Sequence, residues 1–261
     1  MKGSPYKRII KSQTFKFVVG EAKEELFLHS ALVASKSEVL SKMMNGPFIE
    51  GQQGYVTLAD EDVSTIVAFA EFIYTHKYFL EPDTSQRRKS GTPVDDHTSP
   101  GHGNRVRVLI RPSNTHWQIF TQGKEYGNCG SSTVTTVLSG SMDTDYSQFL
   151  IAHAKIFIFA DCYGVWGLLD QAMQKLHKAL CGFRLSRESI GDIMALVRFC
   201  YERPCPEKLK RLVASYSAAI IDSGGQDIVD EGFRNLLKER GDFAADMAWI
   251  MACRLAGKPE F

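Results

Sequence analysis

The most constraining feature of this 261-residue chain is the order of short apolar runs between Phe15 and Phe79. Phe15-Lys16-Phe17-Val18-Val19 alternates in part, as a half-buried strand does, and stops at Gly20. Leu26-Phe27-Leu28 follows closely enough to be its hairpin partner. After His29-Ser30, apolar residues at Leu32, Val33, Val39, Leu40, Met43 and Met44 suit two short helices broken near Ser35-Lys36-Ser37. Tyr55-Val56-Thr57-Leu58 reads as a third strand. Asp60 or Asp62 is then expected to cap a helix, because a carboxylate accepts bonds from first-turn N–H groups. In that helix Val63, Ile66, Val67, Ala70, Ile73 and Tyr74 are expected to share the buried face.

Beyond this stretch the character changes. Residues 81–147 carry Pro82, Pro93, Pro100 and Pro112, many Gly, Ser and Thr, and few periodic apolar positions. That is too long for an ordinary loop and too poor in apolar residues to offset ordering entropy, so most of it is expected to be flexible. Two islands stand out, Arg105 to Ile110 and Trp117-Gln118-Ile119-Phe120, which either pair as an inserted hairpin or act as short linear segments. Arg87-Arg88-Lys89-Ser90 reads as a solvated charge run, with a kinase target or import cluster as the sharper alternative. Order returns in two amphipathic helices, Phe149 to Tyr163 and Val165 to Leu180, separated at Gly164.

Together these pieces resemble the BTB/POZ domain. The resemblance rests on the strand ending Val18-Val19-Gly20, the run through Phe27, His29, Leu32 and Ser35, and then Phe48-Ile49-Glu50, Val56-x-Leu58 and Phe72-Ile73-Tyr74-Thr75. It resumes at the closing helical pair, with Ala160-Asp161-Cys162-Tyr163. The implied fold class is α+β: a small three-stranded sheet packed with helices, followed by an all-α extension. The implied organisation is a flexible arm at 1–14, one BTB/POZ domain at 15–180 interrupted by the insertion at 81–147, and a helical extension at 185–261. In the extension, Ser186 is expected to cap a helix through Tyr201, Pro204 to stop it, and Pro206 to open the next. Gly224-Gly225 breaks that helix, and two more follow, on Ile228, Val229, Phe233, Leu236 and Leu237, then on Phe243, Met247, Ile250, Met251 and Leu255. The arrangement is similar to stand-alone fungal BTB proteins.

The same resemblance implies a non-enzymatic interaction module. In family members that recruit cullin-3, a hydrophobic residue, any residue, then Glu contacts the cullin. Phe48, Ile49 and Glu50 match that triplet, and the surface around Tyr74 and Tyr78 is expected to adjoin it. The physical logic is an apolar anchor beside one oriented carboxylate; the plainer alternative folds Phe48 onto the core and leaves Glu50 solvated. The charged pocket of many dimeric BTB transcription factors is missing, because Thr14 and Ser30 occupy its positions. An adaptor to a cullin-3 ubiquitin ligase is therefore the leading reading. A self-associating, homodimeric scaffold or transcription-linked regulator is the alternative.

Composition and motifs narrow the other classes. Net charge is +1, so no global field draws the chain to nucleic acid or membrane. No apolar run has bilayer length, and no secretory leader is apparent; the cytoplasm or nucleus is expected. The six cysteines are expected as free thiols. Cys162 and His153 lie nine residues apart on one helix, roughly 14 Å of rise, too far to pair as nucleophile and base. Cys162 is expected in the core and His153 partly buried. His177, Cys181, Cys200 and Cys205 invite a zinc reading, but Cys200 and Cys205 straddle a helix end and no Cys-x-x-Cys pair exists. His29 is expected as a hydrogen-bonded core residue. No phosphate-binding loop or dinucleotide fingerprint appears, so neither metal nor cofactor is expected.

Overall fold

A computed structural model describes residues 5–83, 85, 115–122, 144–183, 185–187, 189–224 and 229–258. The chain divides into two compact units, the first holding the described residues 5–81 and 152–175, the second the rest.

In the first unit, α1 (Pro5–Ile10) forms within the stretch 1–14 expected to be a flexible arm. Ser12 Oγ closes its end by donating to the Ile9 carbonyl at 2.7 Å. The sheet follows as read from sequence. β1 (Thr14–Val19) is central, antiparallel to β2 (Glu24–His29) and parallel to β3 (Tyr55–Leu58), giving the order β2-β1-β3. Phe17 lies opposite Leu26 and Val56. Alternation sends Phe15, Phe17 and Val19 inward. On the other face Lys16 opposes Phe27 and pairs with Glu25 at 2.8 Å. Gly20 turns the chain at φ 69°, a region costly to any residue with a Cβ.

The break between α2 (Ser30–Lys36) and α3 (Glu38–Asn45) falls at Ser37. Its hydroxyl accepts from Leu40 N–H at 2.9 Å, capping α3, and donates to the Tyr163 carbonyl. After α4 (Ile49–Gln53) and β3, Asp62 occupies the cap position of α5 (Val63–Thr75). The expected capping bond is absent; the Asp62 carboxylate instead pairs with Lys155 of α7 (Ser147–Cys162). The buried stripe of α5 is also rotated from the expected one: Thr65, Ile66, Ala68, Phe69, Phe72 and Ile73 are buried, while Val67 and Tyr74 face out. Two features pull the stripe round. Phe69 packs on Phe159 with ring centroids 5.2 Å apart, and Phe72 fits against Gly167, where a Cβ would lie 2.9 Å from its ring. The two phenylalanines, each with a fitted partner, decide which face turns inward. Gly164, at φ 64°, separates α7 from α8 (Trp166–Gly182), as expected.

The second unit contains α6 (Thr115–Gln122) and the C-terminal helices α9 (Ile190–Tyr201), α10 (Glu207–Gly224), α11 (Glu231–Glu239) and α12 (Gly241–Leu255). Trp117 to Phe120, one of the two islands read either as a hairpin strand or as a short linear segment, is helical; Arg105 to Ile110 lies outside the described residues. Phe120 is buried between Tyr216 and His177, at centroid distances of 5.4 and 4.7 Å, so packing of one aromatic decides the local structure. Ser186 Oγ accepts from Ser189 N–H one turn ahead of α9, and Pro206 precedes α10 rather than opening it. The apolar spacing of α9 and α10 holds: Ile193, Val197, Leu209, Leu212, Val213, Tyr216 and Ile220 are buried. Asp230, not an apolar residue, starts α11 by accepting from Phe233 N–H at 2.8 Å, and leaves Val229 outside the helix and exposed. In α12 Phe243, Met247 and Ile250 are buried, whereas Met251 and Leu255 are exposed.

Candidate partner-binding surface

The triplet at 48–50 is presented by the junction of α3 and α4. Gly46 adopts extended backbone after α3, and its missing side chain lets the Phe48 ring lie against it; a Cβ there would be 2.9 Å from the ring edge. Gly51 makes a similar close approach, since a Cβ would meet the carbonyls of Gly46 and Met44 at 2.9 Å. α4 is thus pressed onto the end of α3 with no side chain between them, and Gly54 ends it in the left-handed conformation at φ 75°. Phe48 remains 53% exposed and Ile49 66% exposed, while Glu50 is half-buried in the first turn of α4. The turn thus presents an exposed apolar pair beside one half-buried carboxylate.

Tyr74 is also exposed, at 47%. Its hydroxyl is held by His29, 2.7 Å from Nδ1, and accepts from His29 N–H at 3.3 Å. His29 is hydrogen-bonded as expected, but half-exposed rather than in the core. Tyr78 departs further from expectation. It is fully buried, with its hydroxyl 2.8 Å from His153 Nδ1, and it cannot contact a partner in this structure. Lys175 covers the pair, its ammonium 4.1 Å from the Tyr78 ring centre and bonded to the Tyr78 carbonyl. Gln171 bonds the His76 carbonyl, fixing the turn at φ 60° that ends α5 and leads to Tyr78. Burial, and then the Lys175 charge, hold the His153 imidazole down to about 3, and burial pushes the Tyr78 hydroxyl well up. Both are neutral at physiological pH. His153 is therefore deeper than the partly buried position expected from sequence.

Cys162 is exposed, not in the core. Burial of the sulfur, with Glu61 and Asp161 nearby, pushes its thiol up, away from nucleophilic character. His177 Nε2 lies 2.8 Å from the Phe120 carbonyl oxygen and 3.6 Å from Cys181 Sγ. Among the described residues no group of three or more His, Cys, Asp or Glu side chains is placed to hold a metal. No described helix is long and apolar enough to cross a membrane.

Sequence reasoning missed other exposed apolar side chains of this unit: Tyr6, Ile10, Phe27, Val39, Phe79 and Trp166. Two had a signal. Phe27 is out of phase with Leu26 and Leu28 on the hairpin, and Trp166 lies off the stripe of Leu168, Leu169, Ala172 and Leu176.

Comparison with known families agrees with this architecture. Residues 11–88 match the family model described as the BTB/POZ domain. The chain carries a BTB/POZ domain. No curated protein is matched. The BTB/POZ domain is a protein–protein interaction module, and the matched residues include the whole three-stranded sheet, the turn bearing Phe48, Ile49 and Glu50, and α5.

Proposed function

We propose that this BTB/POZ protein is an adaptor that links a bound substrate protein to a cullin-3 ubiquitin ligase. The observation that supports the reading is the pair of exposed apolar side chains, Phe48 and Ile49, next to Glu50 on a turn held close by Gly46 and Gly51. Tyr74, braced by His29, is the second contact, and Tyr78 serves from inside by fixing the segment after α5. In this reading residues 15–180 are one BTB/POZ domain around the insertion at 81–147. The helical extension at 185–261 holds the substrate. The adaptor works in the cytoplasm or nucleus. Replacing Phe48 and Glu50 together by Ala abolishes co-purification of cullin-3 while thermal stability stays within a few degrees of the parent. Undiminished capture by the double variant refutes the site.

A second reading, a self-associating scaffold or transcription-linked regulator, draws on α1. Tyr6 and Ile10 are four residues apart, hence on one face, and both are more than 70% exposed. A homodimer in light scattering, with no cullin captured, decides for that reading.

A further inference from the structure

Within the second unit, α12 is apolar on both sides. Phe243, Met247, Ile250 and Cys253 recur at helical spacing and are buried where α12 packs on α9, α10 and α11. The outward side carries Ala245, Ala248, Trp249, Met251, Ala252 and Leu255, all exposed, with Trp249 at 64% and Leu255 at 90%. A surface helix ordinarily sets polar residues opposite its apolar stripe, and a helix apolar all round is ordinarily covered. The two charged side chains within this span are both drawn aside. Asp246 is half-buried and accepts from the Tyr201 hydroxyl at 2.7 Å. Arg254 is half-buried, and its Nη2 donates to the Ser215 carbonyl at 3.2 Å and to the Ser215 Oγ at 3.3 Å. The exposed charges of α12 therefore sit at its ends. Asp242 is exposed in the first turn, and Lys258 is exposed just past the last. The Lys258 N–H donates to the Cys253 carbonyl at 2.9 Å, which holds that residue against the helix end.

We propose that the outward face of α12 is a self-association surface, on which a second copy of this chain lays its own α12 antiparallel. The charge pattern selects that occupant. One carboxylate at the N-terminal end and one ammonium at the C-terminal end match an antiparallel copy of themselves twice over, and the two helix dipoles then lie head to tail. About a two-fold at residue 250, Asp242 faces Lys258 of the second copy, Ala245 faces Leu255, and Ala248 faces Ala252, each contact occurring twice. The alanines let the two backbones approach to about 8 Å, and the two Trp249 rings meet beside the two-fold as the central anchors. An anionic membrane calls instead for Lys and Arg along the rim, and this face has a carboxylate at one end. A pair of 15-residue helices, about 22 Å long, is a small interface, so association is expected in the micromolar range. This surface is separate from the turn at 48–50 and from α1, and does not depend on either reading given above.

The test is analytical ultracentrifugation of the full chain at concentrations up to about 100 μM. All samples carry Tyr6→Glu and Ile10→Glu, so that association through α1 contributes nothing. The expected result is a mass that rises from 29.2 kDa to twice that value as concentration increases. Trp249→Glu, at an exposed position that leaves the fold intact, holds the chain at the single mass. Asp242→Lys and Lys258→Asp each place like charges at both ends of the pair, and each is monomeric alone. An equimolar mixture of the two single variants restores opposite charges at both ends and dimerises, which also shows that neither variant has failed to fold. A chain that stays at the single mass throughout overturns the proposal, whichever other protein or surface covers α12. So does a doubled mass that Trp249→Glu leaves unchanged. A dimer that both charge variants retain at full strength overturns the antiparallel pairing.

Discussion

The buried Tyr78–His153 pair makes a quantitative claim about acid stability. In the folded chain His153 takes a proton only near pH 3, whereas in the unfolded chain it does so near its ordinary 6.5. Between those values the unfolded chain binds more protons, so stability falls as pH drops through 6.5 towards 3. From pH 8 to pH 5 the loss from this one group is about 2 kcal/mol, and it approaches about 5 kcal/mol across the whole window. Urea unfolding at pH 8, 7, 6 and 5 measures the slope, and staying above pH 5 keeps ordinary carboxylates ionised. His153→Gln lowers stability at every pH, because it disturbs the 2.8 Å bond to Tyr78, but it flattens the pH dependence by about 2 kcal/mol over this range. An unchanged slope in the variant means that His153 is not the group that resists protonation.

Other substitutions test individual joints. Ser37→Ala removes the α3 cap and the bond to the Tyr163 carbonyl, and is expected to cost about 1–2 kcal/mol in chemical denaturation. Tyr201→Phe deletes the hydroxyl that donates to Asp246 at 2.7 Å, with a loss of about 1.5–3 kcal/mol by the same assay. Phe120→Ala empties the space between Tyr216 and His177 and costs about 3–5 kcal/mol; hydrogen exchange at α6 and α10 reports where protection is lost. Asp230→Ala removes the N-cap of α11 and lowers stability by about 1 kcal/mol, whereas Asp230→Asn, which keeps the acceptor, is nearly neutral in the same measurement.

What was legible depended on whether a local pattern and its tertiary surroundings agreed. The three strands could be read because Phe15, Phe17 and Val19 alternate, and the α2–α3 break because Ser37 can both interrupt and cap. The stripe of α5 was misread because Val67 and Tyr74 obey helical spacing as well as Phe69 and Phe72 do. Only Phe159 and the bare backbone at Gly167 select between them. Asp60 or Asp62 reads as a cap by position; Asp62 takes that position, yet Lys155, 93 residues later, competes for its carboxylate. At the candidate surface, Phe48 and Glu50 were legible through a family pattern. The burial of Tyr78 was not, since it depends on a histidine from a distant helix and a lysine lying over the ring.

That distance has a consequence during synthesis. Tyr78 and His153 are 75 residues apart, so a ribosome adding about 5–20 residues per second leaves roughly 4–15 s between the emergence of the two partners. Throughout that interval the nascent sheet and α5 display Phe69, Phe72 and Ile73 without the helices that later cover them. The chain between the two partners is thus also a delay, and the emerging sheet and α5 are where a chaperone has most to shield.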